Sequence, residues 1–165
     1  MGEKTTANLK RAFQGETEAH FRNRAFAVQA DKDGYPQIAR LFRAIAEAEA
    51  VHSLNVLRLR GIVKDTESNL ERAFTTETYA HQEAYPAIIK EAEEEGERAA
   101  SIAFSQSKDV EEMHASLYKK AMTDMMSDRM SEYHVCTVCG YVTDGPVPDN
   151  CPVCQAKAEK FKKVE

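Results

Sequence analysis

One stretch of this chain occurs twice. Leu9 to His20 reads LKRAFQGETEAH, and Leu70 to His81, displaced by 61 residues, reads LERAFTTETYAH. Eight of the twelve positions are identical. A second echo follows: Glu49-Ala50-Val51-His52 and Glu111-Glu112-Met113-His114 are both E-x-x-H, displaced by 62 residues, and Phe42 and Phe104 share that displacement. A helical hairpin used twice accounts for this spacing. Packing alone explains Leu9, Ala12, Phe13 and their copies, but not carboxylates kept inside apolar stretches. The repeat therefore points to a site as well as a core.

Apolar residues at three- and four-residue steps predict four helices, so the fold class is mainly α. The first spans Thr5 to Asp33 and the second Pro36 to Leu59, with Ile38, Leu41, Phe42, Ile45, Glu49 and His52 on one inner stripe. The third runs from Ser68 to Glu95, with Ser68 and Glu71 spaced as a capping box and a kink expected at Pro86. The fourth runs from Ala99 to Arg129; Met113, Met122, Met125, Met126 and Met130 read as adaptable packing. Residues 1–133 form the bundle and residues 134–165 a second unit. So short a tail buries too little apolar area to offset its ordering entropy and should fold only around a metal.

The net charge of -5 and the lack of a basic stripe argue against nucleic acid as a partner. No apolar run is long enough for a membrane span. The N-terminus, MGEKTTANLK, has no apolar signal segment, so the expectation is a cytoplasmic protein with no membrane partner. All four cysteines lie between Cys136 and Cys154. Without an export signal, that favours a metal over disulfides.

The repeat offers Glu16, Glu49, His52, Glu77, Glu111 and His114. Their order is Glu, E-x-x-H, Glu, E-x-x-H, one element per helix, the pattern of ferritin-like di-iron or di-manganese bundles. Four carboxylates cancel the charge of two divalent cations; without them, buried negative charges repel and take up protons. Glu16 and Glu77 are copies and read as terminal ligands. Glu49 and Glu111 read as bridges, and His52 and His114 as one nitrogen donor to each metal. Unrelated buried salt bridges are the alternative, but no Arg or Lys matches these carboxylates on the inner faces. In the tail, Cys136-x-x-Cys139 and Cys151-x-x-Cys154, eleven residues apart, hold one tetrahedral metal, iron or zinc. Cys139-Gly140-Tyr141 and Cys151-Pro152 are similar to rubredoxin knuckles and favour iron.

A four-helix di-iron bundle followed by a rubredoxin-like tail resembles the rubrerythrin family over nearly the whole chain. The resemblance implies a peroxidase that reduces hydrogen peroxide to water, with dioxygen as a second candidate substrate. It implies two irons in the bundle and one in the tail. Electrons would come from NAD(P)H through a reductase or a separate rubredoxin. Tyr85, in the family's Tyr-Pro pair, is a candidate donor beside the irons. One position departs from the pattern: the family carries E-x-x-E on the third helix, and here Glu77 is followed by Ala80. That puts the family's redox-linked ligand exchange in doubt. An iron-oxidising or iron-storing protein of the ferritin class shares the bundle but does not need the tail. A binding or redox-sensing module would use the tail as a zinc-based docking surface.

The connection between the second and third helices sets one more expectation. If those helices run parallel, it must span about 29 Å at 1.5 Å per helical residue. Seven residues reach about 25 Å. The first two helices of one chain should therefore complete the site with the last two of another, in a domain-swapped homodimer.

Overall fold

The computed structural model describes residues 1–125 and 131–165 of the chain. The repeated stretches are helical as their periodicity requires: α1 spans Glu3–Lys32, α2 Pro36–Leu59, α3 Thr66–Tyr79, α4 Tyr85–Glu94 and α5 Arg98–Asp124. The predicted end of the fourth helix, with Met126 and Met130, lies outside the described residues. The chain divides into two compact units, Met1–Lys64 and Asp65–Glu165. The first is the α1–α2 hairpin. The second holds the α3–α5 helices and the tail.

The α1–α2 turn uses backbone chemistry visible in its residues. Gly34 takes φ +83°, and the Tyr35 N–H bonds to the Ala30 carbonyl at 2.8 Å. This satisfies orphan carbonyls at the end of α1 before Pro36 opens α2. Gly96, at φ +77°, closes α4 in the same way, with the Glu97 N–H on the Ala92 carbonyl at 2.8 Å.

The third predicted helix is not continuous. A π turn, Ala80–Ala84, separates α3 from α4, and the Tyr85 N–H bonds back to the Ala80 carbonyl. Register within the repeat explains it. His20 and His81 are 61 residues apart, whereas Gly34 and Gly96 are 62 apart. The second hairpin thus carries one extra residue between His81 and Gly96, and a π turn takes up one residue without ending the helix. It lies directly ahead of Pro86, where a regular helix would press the ring against the carbonyl four residues back. The bend expected at Pro86 is replaced by this widened turn. The cap of α3 also differs from expectation. Asp65, not Ser68, is the N-cap: its carboxylate accepts the Ser68 N–H at 2.9 Å and the Ser68 hydroxyl at 2.8 Å. The helix starts one turn earlier because Asp accepts two bonds there and outcompetes a Ser–Glu box.

Packing within each hairpin rests on small residues. Among the described residues, the buried apolar side chains are alanines (Ala27, Ala30, Ala39, Ala46, Ala92, Ala115), Val110, Cys136 and Cys151. The stripe predicted to be buried on α2 is exposed: Ile38, Leu41 and Ile45 are 41%, 55% and 41% accessible. Phe21 and Phe26 of α1 are exposed as well. Alanines let α1 and α2 approach closely, but two helices have only one mutual face, so the second apolar face of each is left uncovered.

The tail is a three-stranded antiparallel sheet in the order β2-β1-β3, with β1 His134–Cys136, β2 Val142–Thr143 and β3 Phe161–Lys163. Val135 pairs with Val142 and Cys136 with Phe161.

Candidate metal centres

Each unit gathers three of the six predicted ligands. In the first, Glu16 of α1 meets Glu49 and His52 of α2; in the second, Glu77 of α3 meets Glu111 and His114 of α5. Within each triad the ligand atoms lie within 4.8 Å of one another. The E-x-x-H spacing puts Glu and His on adjacent turns of one face, so His52 Nδ1 lies 2.9 Å from Glu49 and 3.6 Å from Glu16, and His114 Nδ1 lies 3.0 Å from Glu111. Tyr85 joins neither triad; it is half-buried at the end of the π turn. Ala80 is the first residue of that turn, just past α3.

The protonation of these groups tests whether a cation fits. The far nitrogen of His114, Nε2, donates to the Gly140 carbonyl at 3.2 Å. That bond keeps the ring proton on Nε2 and leaves Nδ1 a lone pair toward Glu111, the tautomer a metal requires. A lone pair facing a carboxylate at this distance needs a proton or a cation between them. Without a cation, the groups respond as expected. Hydrogen bonding to Glu49 raises the His52 pKa. Hydrogen bonding to Glu16 first, then to His52, holds Glu49 below the usual carboxylate range. Burial first, then the hydrogen bond and charge of Glu111, push Glu77 up to about 7. Carboxylates that share a proton in this way suit divalent cations with mixed nitrogen and oxygen ligation.

A pH effect follows from Glu77. Its folded pKa is about 7 against an ordinary value of 4.5. Between those values the folded metal-free protein binds more protons than the unfolded chain. The contribution is full below 4.5 and is lost as pH rises through about 7. Urea unfolding of metal-free protein should show midpoints falling across this window, with a shallower fall in Glu77→Gln. A variant that tracks the wild type would remove Glu77 as the cause.

The cysteines form a separate cluster. Cys136 Sγ lies 3.7 Å from Cys154 Sγ and Cys139 Sγ 3.6 Å from Cys151 Sγ, and all four lie within 4.8 Å of one another. Two matching knuckles build it. Gly140, at φ +85°, donates its N–H to the Cys136 carbonyl at 2.9 Å; Gln155, at φ +63°, does the same to Cys151 at 2.9 Å. Burial opposes ionisation of Cys136, but the backbone N–H groups of Cys139 and Val138 outweigh it and lower its pKa. Burial raises Cys139. Cysteines this close, partly prepared for the thiolate form and held by N–H groups, match a tetrahedral four-sulfur site.

Sequence reading missed one functional contact, the seat of Gly140 on His114. The Cys-Gly pair signals a left-handed knuckle, but no local pattern says which helix it will touch.

Comparison with known proteins agrees with both centres. The profile described as rubrerythrin matches residues 7–122, and the one described as the rubrerythrin rubredoxin-like domain matches residues 134–162. Nigerythrin of Nitratidesulfovibrio vulgaris is 36% identical, over 95% of this chain and 85% of its own length. Rubrerythrin of Porphyromonas gingivalis is 33% identical, over 99% of this chain and 92% of its own. The fully reduced, all-ferrous structure of nigerythrin aligns over 99% of this chain and 88% of its own, with a TM-score of 0.60 and 34% identity. Both profiles fall, in order, on the segments that carry the two ligand sets; the chain therefore belongs to the rubrerythrin family, with a di-iron site in its helical repeat and a rubredoxin-like four-cysteine site in its tail.

Proposed function

We propose that this protein is a cytoplasmic peroxidase that reduces hydrogen peroxide to water as a defence against oxidative stress. Its electrons come from NAD(P)H through a reductase or rubredoxin, and enter at the four-cysteine iron of residues 134–165. The overall change is H2O2 + 2 H⁺ + 2 e⁻ → 2 H2O. The observation that carries this reading is the place of His114, whose Nδ1 faces Glu111 of the triad at 3.0 Å while its Nε2 donates to Gly140 of the cysteine knuckle. A storage protein has no need of an electron carrier seated on a ligand of its metal site.

The residues divide the work. Glu16, Glu49, Glu77 and Glu111 balance charge, and His52 and His114 present one Nδ1 to each metal. When bound, the iron pair supplies the electrons that break the O–O bond. Gly140 orients the His114 ring, and Tyr85, which joins neither triad, is kept as the candidate proton donor. The test is anaerobic titration of reduced protein with peroxide. Consumption of about one peroxide per two electrons, much faster than reaction with air, supports the proposal. Uptake of iron far beyond about three per chain would favour ferritin-like storage instead.

Neither unit alone has all six ligands, and we propose that residues 1–133 complete the bundle in a swapped homodimer. Leu59 lies ten residues past Glu49 and Thr66 eleven before Glu77. If these helices run parallel with their ligands level, the connection must climb about 31 Å. Arg60 to Asp65 extend to about 25 Å. The exposed apolar faces of α1 and α2 supply the surface a second copy would cover. Mixing and refolding Glu49→Ala and Glu111→Ala chains tests it. In a swapped heterodimer one site carries both substitutions and the other none, so the mixture recovers part of the metal-pair binding that each variant lacks. No recovery means that each chain closes its own site.

Ala80 bears on rate. Without a second carboxylate on the third helix, we expect His52 to stay bound in both oxidation states and peroxide turnover to be slower than a five-carboxylate site allows. Ala80→Glu should raise the rate on the order of tenfold, equivalent to about 1.4 kcal/mol of barrier. Unchanged stopped-flow kinetics would remove position 80 from the mechanism.

A further inference from the structure

We propose that His20 and His81 are a duplicated pair of positioning residues, each pinning the helix of a terminal carboxylate to the helix of a bridging carboxylate. His20 Nδ1 lies 2.7 Å from the Ala46 carbonyl, and His81 Nδ1 lies 2.9 Å from the Lys108 carbonyl. A carbonyl only accepts, so the ring nitrogen is the donor in both. Donors and acceptors are repeat copies: His20 and His81 stand 61 apart, Ala46 and Lys108 62 apart, as do Glu49 and Glu111. Each His lies four residues after its terminal Glu, and each acceptor three residues before its bridging Glu. In an antiparallel hairpin those offsets run in the same direction, so each pin sits one turn from its triad.

The geometry has a cause and a consequence. The accepting oxygen already lies in a helical ladder, and its second lone pair takes the imidazole N–H. The bond therefore leaves each helix intact and fixes its axial register against its neighbour. A slip of one residue would move a carboxylate by about 1.5 Å, more than a metal site tolerates. His81 keeps its bond although it lies inside the π turn; the extra residue falls beyond the pin and leaves the triad register unchanged. The remaining cross-helix bond near the first triad, Thr17 Oγ1 to Ser53 Oγ at 3.3 Å, has no copy in the second. Thr78, the copy of Thr17, bonds to Phe74 of its own helix at 2.7 Å, and position 115 is Ala. Apart from the carboxylate pairs inside the triads, the imidazole pin is the cross-helix hydrogen bond that both halves share among the described residues. His20 and His81 differ in this from His52 and His114, whose Nδ1 atoms face carboxylates.

This inference rests on the di-metal reading above, and cobalt(II) titration of the full-length protein separates the two. Phe at positions 20 and 81 keeps a ring and loses the donor; Asn places an amide N–H where Nδ1 stood. The His20→Phe/His81→Phe chain should bind bundle cobalt at least about tenfold more weakly, the scale of a lost supporting contact. Its ligand-field bands should shift, while cobalt–thiolate absorption from the tail and helical dichroism stay as in the wild type. The His20→Asn/His81→Asn chain should restore affinity and bands. If the double Phe chain fails to fold, His81→Phe alone carries the same comparison. Wild-type affinity and spectrum in the Phe chains, or a folded Asn chain that does not recover them, would overturn the pinning role and leave the metal site standing. A wild-type protein whose bundle takes up no cobalt would overturn both.

Discussion

Glu111→Ala protein takes up one metal, in the tail, and leaves the bundle pair unloaded. Glu111 reads from the repeat as one of two bridging carboxylates, and its loss would leave the second triad with Glu77 and His114 alone. Removing a partner that only supports a ligand costs 10–100-fold in affinity, so removal of the ligand itself should cost more than about 100-fold. Peroxide turnover falls with the metals. The metal-free protein should respond in the opposite direction. Part of what pushes Glu77 up to about 7 is the hydrogen bond and charge of Glu111. Without them, Glu77 titrates closer to an ordinary carboxylate, and the metal-free variant resists urea better at neutral pH than the metal-free wild type. Metal analysis, ferrous titration and unfolding curves measure all three. A variant that still loads two bundle irons would strip Glu111 of its bridging role.

Cys151→Ser protein loses the tail iron and, with it, the folded tail. Cys151 is fully buried and starts the second knuckle. The strands are two and three residues long, so most of their stability should come from the bound metal. Limited proteolysis should release residues from about 134 onward. The bundle still loads, more weakly, because His114 no longer has the Gly140 carbonyl to hold its tautomer. Reduced chemically, the variant should consume one round of peroxide. Supplied with NAD(P)H and a reductase, turnover should drop by roughly two orders of magnitude, about 2.7 kcal/mol. Wild-type turnover under those conditions would show that electrons enter the bundle without the tail.

Both metal centres were legible because their chemistry is local. E-x-x-H places two ligands on one face of any helix, and C-x-x-C closes a knuckle within five residues. The solitary Glu16 and Glu77 were legible through duplication: each recurs in a matching frame, and each stands one turn before a recurring His. The role of that His was not legible. Its Nδ1 bond to a carbonyl on the paired helix depends on how two helices align, and periodicity within one helix carries no information about that. The buried stripe of α2 was misread for a related reason. Amphipathicity says which face avoids water but not what covers it, and the hairpin covers only its alanine face.

The sequence by itself determined the helical repeat, its turns at Gly34 and Gly96, and the two sets of residues that gather as candidate metal centres. These follow from backbone sterics, helix period and donor chemistry, all of which act within a few residues. Tertiary structure decided the rest. It placed the extra residue of the second hairpin in a π turn, moved the α3 cap to Asp65, and seated Gly140 on the far nitrogen of His114. It also gathered the ligands as two triads. The reason is distance along the chain: His114 and Gly140 are 26 residues apart, and only packed helices and a folded tail bring such groups to one point.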